Sequence, residues 1–100
     1  MTIPGDNWKT TTSDELLAAI VTLDSIEEAA AFMRDLCTRK ELEEMSNRWE
    51  AVKLLDQGIP YRDISDRTGL STATITRINQ WLQHGTGGYR SMLIKLRDTP

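Results

Sequence analysis

The chain has 100 residues, of which 39% are apolar and 27% are charged, and its formal net charge is −3. This composition is typical of one folded domain and argues against intrinsic disorder. No run reaches the roughly 18 apolar residues of a membrane helix, and the N-terminus lacks a signal-peptide pattern. The single cysteine, Cys37, excludes a disulfide framework and suits a reducing compartment. We therefore expect a cytoplasmic protein without membrane association.

The chain begins with residues 1–11, which are rich in Pro, Gly, Asn and Thr and which we expect to be flexible. Helices are then predicted wherever a hydroxyl residue precedes a glutamate by three positions, the spacing of a capping box, and an apolar run of helical period follows. The pairs are Thr12 with Glu15, Ser25 with Glu28, and Thr38 with Glu41. The third helix, Arg39 to Gln57, would be about 28 Å long, which favours packing of part of its apolar stripe against a second chain.

Three further helices are predicted in the second half, which completes an all-α fold within a single domain over residues 12–97. Pro60 suits the start of a short helix over residues 61–68, and Gly69 ends it. Ser71 caps the next helix, which runs to about Gln83. A loop rich in glycine, residues 84–88, precedes a last amphipathic helix from about residue 89 to residue 97.

Residues 61–82 meet the requirements of a helix-turn-helix. Ser65 is small enough for close contact between the helices, Gly69 tolerates a positive φ, and Ser71 supplies the cap of the second helix. A shared apolar core is provided by Ile64, Leu70, Ile75 and Ile78. A helical hairpin without a nucleic-acid ligand would need the same core, but it would not need the small polar residues on the outer face.

That outer face consists of Thr72, Ala73 and Thr76, with Thr74 and Arg77 at its margins. Threonine hydroxyls can hydrogen-bond to base edges, and small side chains let the helix backbone approach the major groove. Arg62 and Arg67, on the supporting helix, are candidates for contacts with phosphates. The alternative is that both arginines are solvated and paired with Asp63 or Asp66.

Charge is distributed unevenly along the chain. Residues 1–57 contain six Lys/Arg and twelve Asp/Glu, whereas residues 58–100 contain six Lys/Arg and three Asp/Glu. The basic half therefore coincides with the helix-turn-helix, and local charge sets the electrostatic field at a binding face. Two ordinary solvated surfaces would give the same count, so the asymmetry supports DNA binding only weakly.

The sequence also contains two stretches that match a known family. They are residues 36–58, LCTRKELEEMSNRWEAVKLLDQG, and residues 69–77, GLSTATITR. Both resemble the Trp repressor family, in particular its YerC/YecD branch, and the likeness extends from about Leu16 to Leu96. The resemblance implies a six-helix, Trp repressor-like fold that forms an intertwined homodimer. It also implies a DNA-facing set of Arg62, Ser71, Thr72, Ala73, Thr74 and Thr76.

The resemblance further implies an effector pocket, because the family holds tryptophan between two arginines that correspond to Arg48 and Arg77. The segment at Thr38 would meet the ligand's amino group from the partner chain. This sequence has Ile78 where the family has glycine, and Trp81 where the family has a serine that helps to hold the amino group. We expect these side chains to fill the space, which favours DNA binding without a cofactor, or an unrelated effector, over tryptophan as corepressor.

The leading hypothesis is therefore a homodimeric, sequence-specific regulator of transcription that binds double-stranded DNA, acts as a repressor and is not an enzyme. The alternative is a helical protein–protein interaction module, which the acidic first half favours slightly. An enzyme has the least support, because His84 has no nucleophilic partner at useful spacing and no metal-ligand cluster is visible.

Overall fold

The structure is a computed structural model that describes residues 7–98, and these residues form six α-helices without a β-strand. The helices are α1 (Thr11–Ile20), α2 (Ile26–Leu36), α3 (Arg39–Asp56), α4 (Tyr61–Thr68), α5 (Thr72–His84) and α6 (Gly88–Arg97). This confirms the predicted all-α architecture. Of the segment 1–11 that was predicted to be flexible, residues 1–6 lie outside the described residues and residues 7–10 lead into α1. The prediction is wrong at its end, because Thr11 is the first residue of α1. None of the helices in the described part of the chain has the length and apolar character needed to cross a membrane.

The cap of α1 differs from the prediction. Thr10, not Thr12, is the capping residue: its Oγ1 accepts a hydrogen bond from the Ser13 N–H at 3.0 Å, and Ser13 Oγ accepts one from the Thr10 N–H at 2.7 Å. The predicted pair of Thr12 with Glu15 is therefore wrong. Residues 10–13 all carry hydroxyl groups, so the box can form one register earlier, with serine in the place of glutamate.

The caps of α2 and α3 lie where they were predicted. Ser25 Oγ accepts a hydrogen bond from the Glu28 N–H at 3.0 Å, although the Glu28 carboxylate accepts from the N–H of Asp24 rather than from that of the cap residue. At α3 both bonds of the box are present. Glu41 Oε1 accepts from the Thr38 N–H at 2.7 Å, and Thr38 Oγ1 accepts from the Glu41 N–H at 3.0 Å.

Two hydrogen bonds with Thr38 hold the pKa of Glu41 below its ordinary value of 4.5. The bond to the backbone of Thr38 has the larger effect, and the bond to its side chain has the smaller one. Because the pKa is lower in the folded state, the ionised carboxylate stabilises the folded protein above pH 4.5, and this contribution is lost as the pH falls through the lowered pKa. We expect Glu41→Gln to lower the thermal unfolding temperature at neutral pH and to have little effect below the lowered pKa. Circular dichroism over a pH series measures this. Glu44→Gln, outside the box, is the matched control, and an equal loss at both ends of the series would contradict the prediction.

The described chain divides into two compact units, residues 7–42 and residues 43–98, with the boundary inside α3. The unit of residues 43–98 contains the hydrophobic core, in which Ile64, Ile75 and Val52 are the largest fully buried side chains. The buried core as a whole comprises Ala51, Val52, Leu54, Ile64, Ile75, Ile78, Leu82 and Leu93. Each of α3, α4, α5 and α6 contributes to this core, which fixes α5 against α4 and α6.

The unit of residues 7–42 has no fully buried side chain. Its apolar residues are half-buried or exposed, and the most exposed are Val21 at 82% and Ile26 at 84%. The other large exposed apolar residues of this unit are Trp8, Leu16, Leu17, Ile20 and Leu36. Many exposed large apolar side chains in one unit are typical of interaction surfaces. Packing against a partner would also stabilise α1 and α2, because short helices are marginal without packing.

Candidate nucleic-acid interface

The turn between α4 and α5 is held by glycine geometry and by two side chains. Gly69 has φ +75° and ends α4, as predicted, with its N–H bonded to the Ser65 carbonyl at 2.8 Å. Ser65 Oγ donates to the Leu70 carbonyl at 2.7 Å, and Thr68 Oγ1 accepts from the Leu70 N–H at 3.2 Å. The sequence singled out Ser65 for its size alone, and the structure adds its hydrogen bond to the turn.

The helix that follows presents the residues predicted for base contacts. Ser71 caps α5 by accepting a hydrogen bond from the Thr74 N–H at 3.1 Å. Thr72, Ala73 and Thr76 are exposed and Thr74 is half-buried, while the opposite side of α5 enters the core. The Thr76 hydroxyl donates to the Thr72 carbonyl at 2.9 Å, so its oxygen retains a lone pair for a donor from outside. The first turn of α5 is therefore accessible rather than covered by the protein's own core.

The arginines of the supporting helix lack acidic partners. Arg62 and Arg67 are exposed, and no ion pair within residues 7–98 engages either of them. By contrast, Arg90 and Arg97 both pair with Asp56, at 3.7 and 3.0 Å. The reading of Arg62 and Arg67 as members of surface ion pairs is thus not supported, and their positive charge remains uncommitted.

An open pocket of about 620 Å³ lies beside α5, within the unit of residues 43–98. This volume lies in the range of small-molecule sites. Two arginines, three aromatic rings and two threonines contribute to its walls. The lining residues are Arg48, Trp49, Thr74, Arg77, Ile78, Trp81, Thr86, Gly88, Tyr89 and Met92. The structure therefore places Arg48 and Arg77 on one pocket, whereas Thr38 is not among its lining residues and serves as the cap of α3.

The two pocket arginines have no carboxylate partner among the described residues. Arg77 donates to Thr74 Oγ1 at 3.3 Å, and the hydroxyl of Ser71 donates to the same oxygen at 3.0 Å. Thr74 thus connects the pocket wall to the first turn of α5. Unpaired guanidinium groups beside aromatic rings suit an anionic group attached to an apolar body.

Trp81 does not fill the pocket as the sequence suggested. Its side chain is part of the wall and 44% exposed, and the cavity remains open. The physical reason is Gly85, because a Cβ at that position would lie 2.8 Å from Trp81 Cε3, so that the missing side chain lets the indole fold back against the loop. Trp49 and Tyr89, whose ring centroids are 6.4 Å apart, were not singled out from the sequence. The sequence signal that could have identified them is their position, because Trp49 directly follows Arg48 and Tyr89 directly follows the glycine-rich loop of residues 84–88.

In the described part of the chain, no group of three or more His, Cys, Asp and Glu side chains could hold a metal ion.

Comparison with known proteins adds a direct finding. The sequence model of the Trp repressor protein family matches residues 11–97. The protein belongs to the Trp repressor family. This places it with transcriptional regulators and confirms the resemblance drawn from residues 36–58 and 69–77.

Three known proteins are similar to this one over most of the chain. The uncharacterized protein YerC from Bacillus subtilis (strain 168) is 36% identical over 86 residues, which cover 86% of this chain and 83% of YerC. The crystal structure of a TrpR-like protein from Eubacterium eligens ATCC 27750 has a TM-score of 0.87 and 36% identity, and covers 96% of this chain and 99% of that one. A Trp repressor candidate from Staphylococcus aureus has a TM-score of 0.87 and 35% identity, with 98% of each chain covered. The Trp repressor-like fold therefore extends over both described units.

Proposed function

We propose that the protein is a transcriptional repressor that binds double-stranded DNA of defined sequence, with α5 in the major groove and α4 over the backbone. The observation that carries this proposal is the exposure of Thr72, Ala73 and Thr76 at the start of a helix whose opposite side is anchored in the core. A helix held in this way can enter a groove as a rigid body, and membership of the Trp repressor family supports this use of it.

The chemistry of the first turn of α5 suits base edges and a neighbouring phosphate. The hydroxyl of Thr72 can donate to or accept from bases, the Thr76 oxygen can accept from a base donor, and the methyl group of Ala73 can contact a thymine methyl. Ser71 and Thr74 lie at the N-terminus of the helix, where free backbone N–H groups and the helix dipole attract a phosphate. Together these groups form the proposed reading surface.

The supporting helix supplies the proposed contacts with the DNA backbone. Arg62 lies in the first turn of α4, Arg67 lies in its last turn, and neither is neutralised by an acidic partner in the described chain. Free guanidinium groups release counterions when they meet phosphates, which makes binding strongly dependent on salt. Residues 58–100 as a whole contain six Lys/Arg and three Asp/Glu, and this excess offsets the formal net charge of −3 that would otherwise disfavour DNA.

We propose a homodimer as the binding form. Support comes from the apolar side chains that α1 and α2 leave exposed, from the 18-residue length of α3, and from the family. A twofold dimer presents two copies of α5 about one helical turn of DNA apart, so its target should contain two related half-sites. Sedimentation of the purified protein measures the assembly, and a monomer at all concentrations would contradict this part of the proposal.

We also propose that DNA binding needs no tryptophan. The pocket stays open, but Trp81 stands where the family has the serine that helps to hold the amino group of tryptophan, so that contact is missing here. A ligand that binds only the folded protein raises its unfolding temperature by mass action. Tryptophan is therefore expected to leave both the unfolding temperature and the DNA affinity unchanged, and an increase in either would contradict this view of the pocket.

The proposed function is tested by selection of binding sites from random duplexes at several salt concentrations. We expect Arg62→Ala to weaken binding to all sequences and to reduce the slope of log affinity against log salt by about one. Thr76→Ala should instead change which sequences are enriched, since it removes a group that contacts bases. Affinities are measured by fluorescence anisotropy on the enriched duplex and on a scrambled duplex.

Two variants outside the helix-turn-helix serve as matched controls. Arg34, whose guanidinium donates to the Cys37 carbonyl, matches Arg62, and Thr22, whose hydroxyl donates to the Ala19 carbonyl, matches Thr76. Alanine at either position should leave the salt slope and the sequence preference unchanged. Failure of the native protein to enrich any sequence at any salt would refute the proposal and favour the alternative, a protein-interaction module whose binding is insensitive to salt.

A further inference from the structure

A chain of side-chain hydrogen bonds crosses α5 and joins the first residue of α4 to α6 and α3. Asn79 Nδ2 donates to Tyr61 Oη at 2.9 Å, and Gln83 Nε2 donates to Asn79 Oδ1 at 3.4 Å. Arg90 Nη2 donates to Gln83 Oε1 at 3.3 Å, and Arg90 Nη1 lies 3.7 Å from Asp56 Oδ1. Each amide in the chain is used at both ends, which fixes its orientation. Asn79 therefore accepts a hydrogen bond from Gln83 and donates one to Tyr61.

The Tyr61–Asn79 bond lies opposite the turn of the helix-turn-helix. Tyr61 precedes Gly69 by eight residues, and Asn79 follows Ser71 by eight residues, so each partner is about 12 Å from the turn along its helix. The turn and this bond thus close a triangle whose two long sides are α4 and α5. The apolar contacts inside the triangle are not directional, whereas a hydrogen bond has a preferred length and angle. The bond therefore adds a directional constraint on the angle between the two helices.

This angle sets the spacing between the two proposed kinds of DNA contact. Arg62 directly follows Tyr61, and Thr72, Thr76 and Asn79 lie on one face of α5 because they are four and three residues apart. The reach from the guanidinium of Arg62 to the hydroxyls of Thr72 and Thr76 consequently depends on how α4 lies on α5.

We propose that Tyr61 and Asn79 are positioning residues that hold the phosphate contact in register with the base contacts and thereby set sequence discrimination. The inference rests on the proposed function and adds to it two residues that touch no base. Their contribution passes through Arg62 and through the hydroxyls of α5. Loss of the bond allows α4 to shift on α5 while both helices remain folded, so binding to any DNA persists and preference for one sequence declines.

Tyr61→Phe removes one oxygen and retains the ring that packs against the hydrophobic core. Tyr89→Phe is the matched control, since Tyr89 packs against the same core and its hydroxyl takes part in no hydrogen bond described for residues 7–98. Asn79→Ala removes the other partner. If the two residues act as a pair, the double variant should lose no more discrimination than Asn79→Ala alone.

The experiment compares affinity for the enriched duplex with affinity for a scrambled duplex, at each of several salt concentrations, together with the thermal unfolding temperature. For Tyr61→Phe we expect the ratio of the two affinities to fall about tenfold, the effect of one mismatched base pair, with affinity for the scrambled duplex and the salt slope unchanged. Tyr89→Phe should retain the native ratio. Amide hydrogen exchange without DNA should be faster over α4 in Tyr61→Phe than in Tyr89→Phe.

The possible failures can be told apart. A native ratio in Tyr61→Phe would overturn the positioning role while leaving the proposed function intact, and so would equal losses in the two phenylalanine variants. Absence of sequence preference in the native protein would overturn both proposals together. If the double variant loses as much sequence discrimination as the two single variants together, the assignment of Tyr61 and Asn79 as a pair is overturned.

Discussion

Replacing Ile75 with alanine is expected to lower the free energy of unfolding by about 3 kcal/mol, within the range for truncation of a buried isoleucine. Ile75 of α5 and Ile64 of α4 are both fully buried in the same hydrophobic core. The cavity cannot collapse easily, because the turn at Gly69 and the hydrogen bond between Tyr61 and Asn79 restrain the positions of the two helices at both ends. Urea denaturation followed by circular dichroism measures the change.

Ile75→Val provides the graded control for this prediction. It removes one methyl group and should cost about 1 kcal/mol, whereas the alanine variant should also reduce binding to every duplex, since the reading helix loses its anchor. A cost below about 1 kcal/mol for Ile75→Ala would show that the helix-turn-helix core repacks. The rigid attachment of α5, on which the proposed mode of DNA binding depends, would then be wrong.

Replacing Gly85 with alanine is expected to destabilise the protein by about 1–3 kcal/mol, the cost of forcing an extra methyl group into a packed region. The added Cβ would collide with the Trp81 carbonyl oxygen and lie 2.8 Å from Trp81 Cε3. That carbonyl also accepts the Gly85 N–H that ends α5, at 2.8 Å. Relief of the clash must therefore break this cap or displace the indole from the pocket wall.

Gly88→Ala separates this steric effect from the general effect of replacing a glycine. At Gly88 the nearest atom to an added Cβ is Thr86 Oγ1 at 3.9 Å, and the residue begins α6. Alanine there should be neutral or should stabilise by up to about 1 kcal/mol, because it restricts the unfolded chain. Thermal unfolding and tryptophan fluorescence measure both variants. Equal effects at the two positions would contradict the account of the pocket wall.

The helix-turn-helix was predictable because its signals are local. Gly69 ends one helix through a backbone conformation that other residues rarely adopt, and Ser71 begins the next through a bond to an N–H three residues away. The same kind of reasoning was wrong at α1, where neighbouring hydroxyl groups compete for the role of cap. Local chemistry there permits several registers, and the prediction selected Thr12 whereas the helix uses Thr10.

Interactions between helices were much less predictable. The bond from Asn79 to Tyr61 joins residues 18 positions apart, and it exists only because of the angle at which α4 meets α5. The pocket arginines were found from the family resemblance, since no periodicity brings Arg48 on α3 together with Arg77 on α5. The open state of the pocket depends on an absent side chain at Gly85, which affects the direction of the Trp81 ring and leaves no signal in a hydropathy pattern.

Asp56 engages both arginines of α6, so at long range its single carboxylate offsets one of their two positive charges. Arg62 and Arg67 of α4 share their helix with Asp63 and Asp66, so at long range an approaching duplex meets little net positive charge, on a chain whose formal net charge is −3. A repressor of this kind would spend little time on random chromosomal DNA, because sequence-independent affinity scales with the number of phosphates that are neutralised. Few copies per cell would then suffice to occupy a true operator, since occupancy depends on competition from the rest of the genome as well as on affinity.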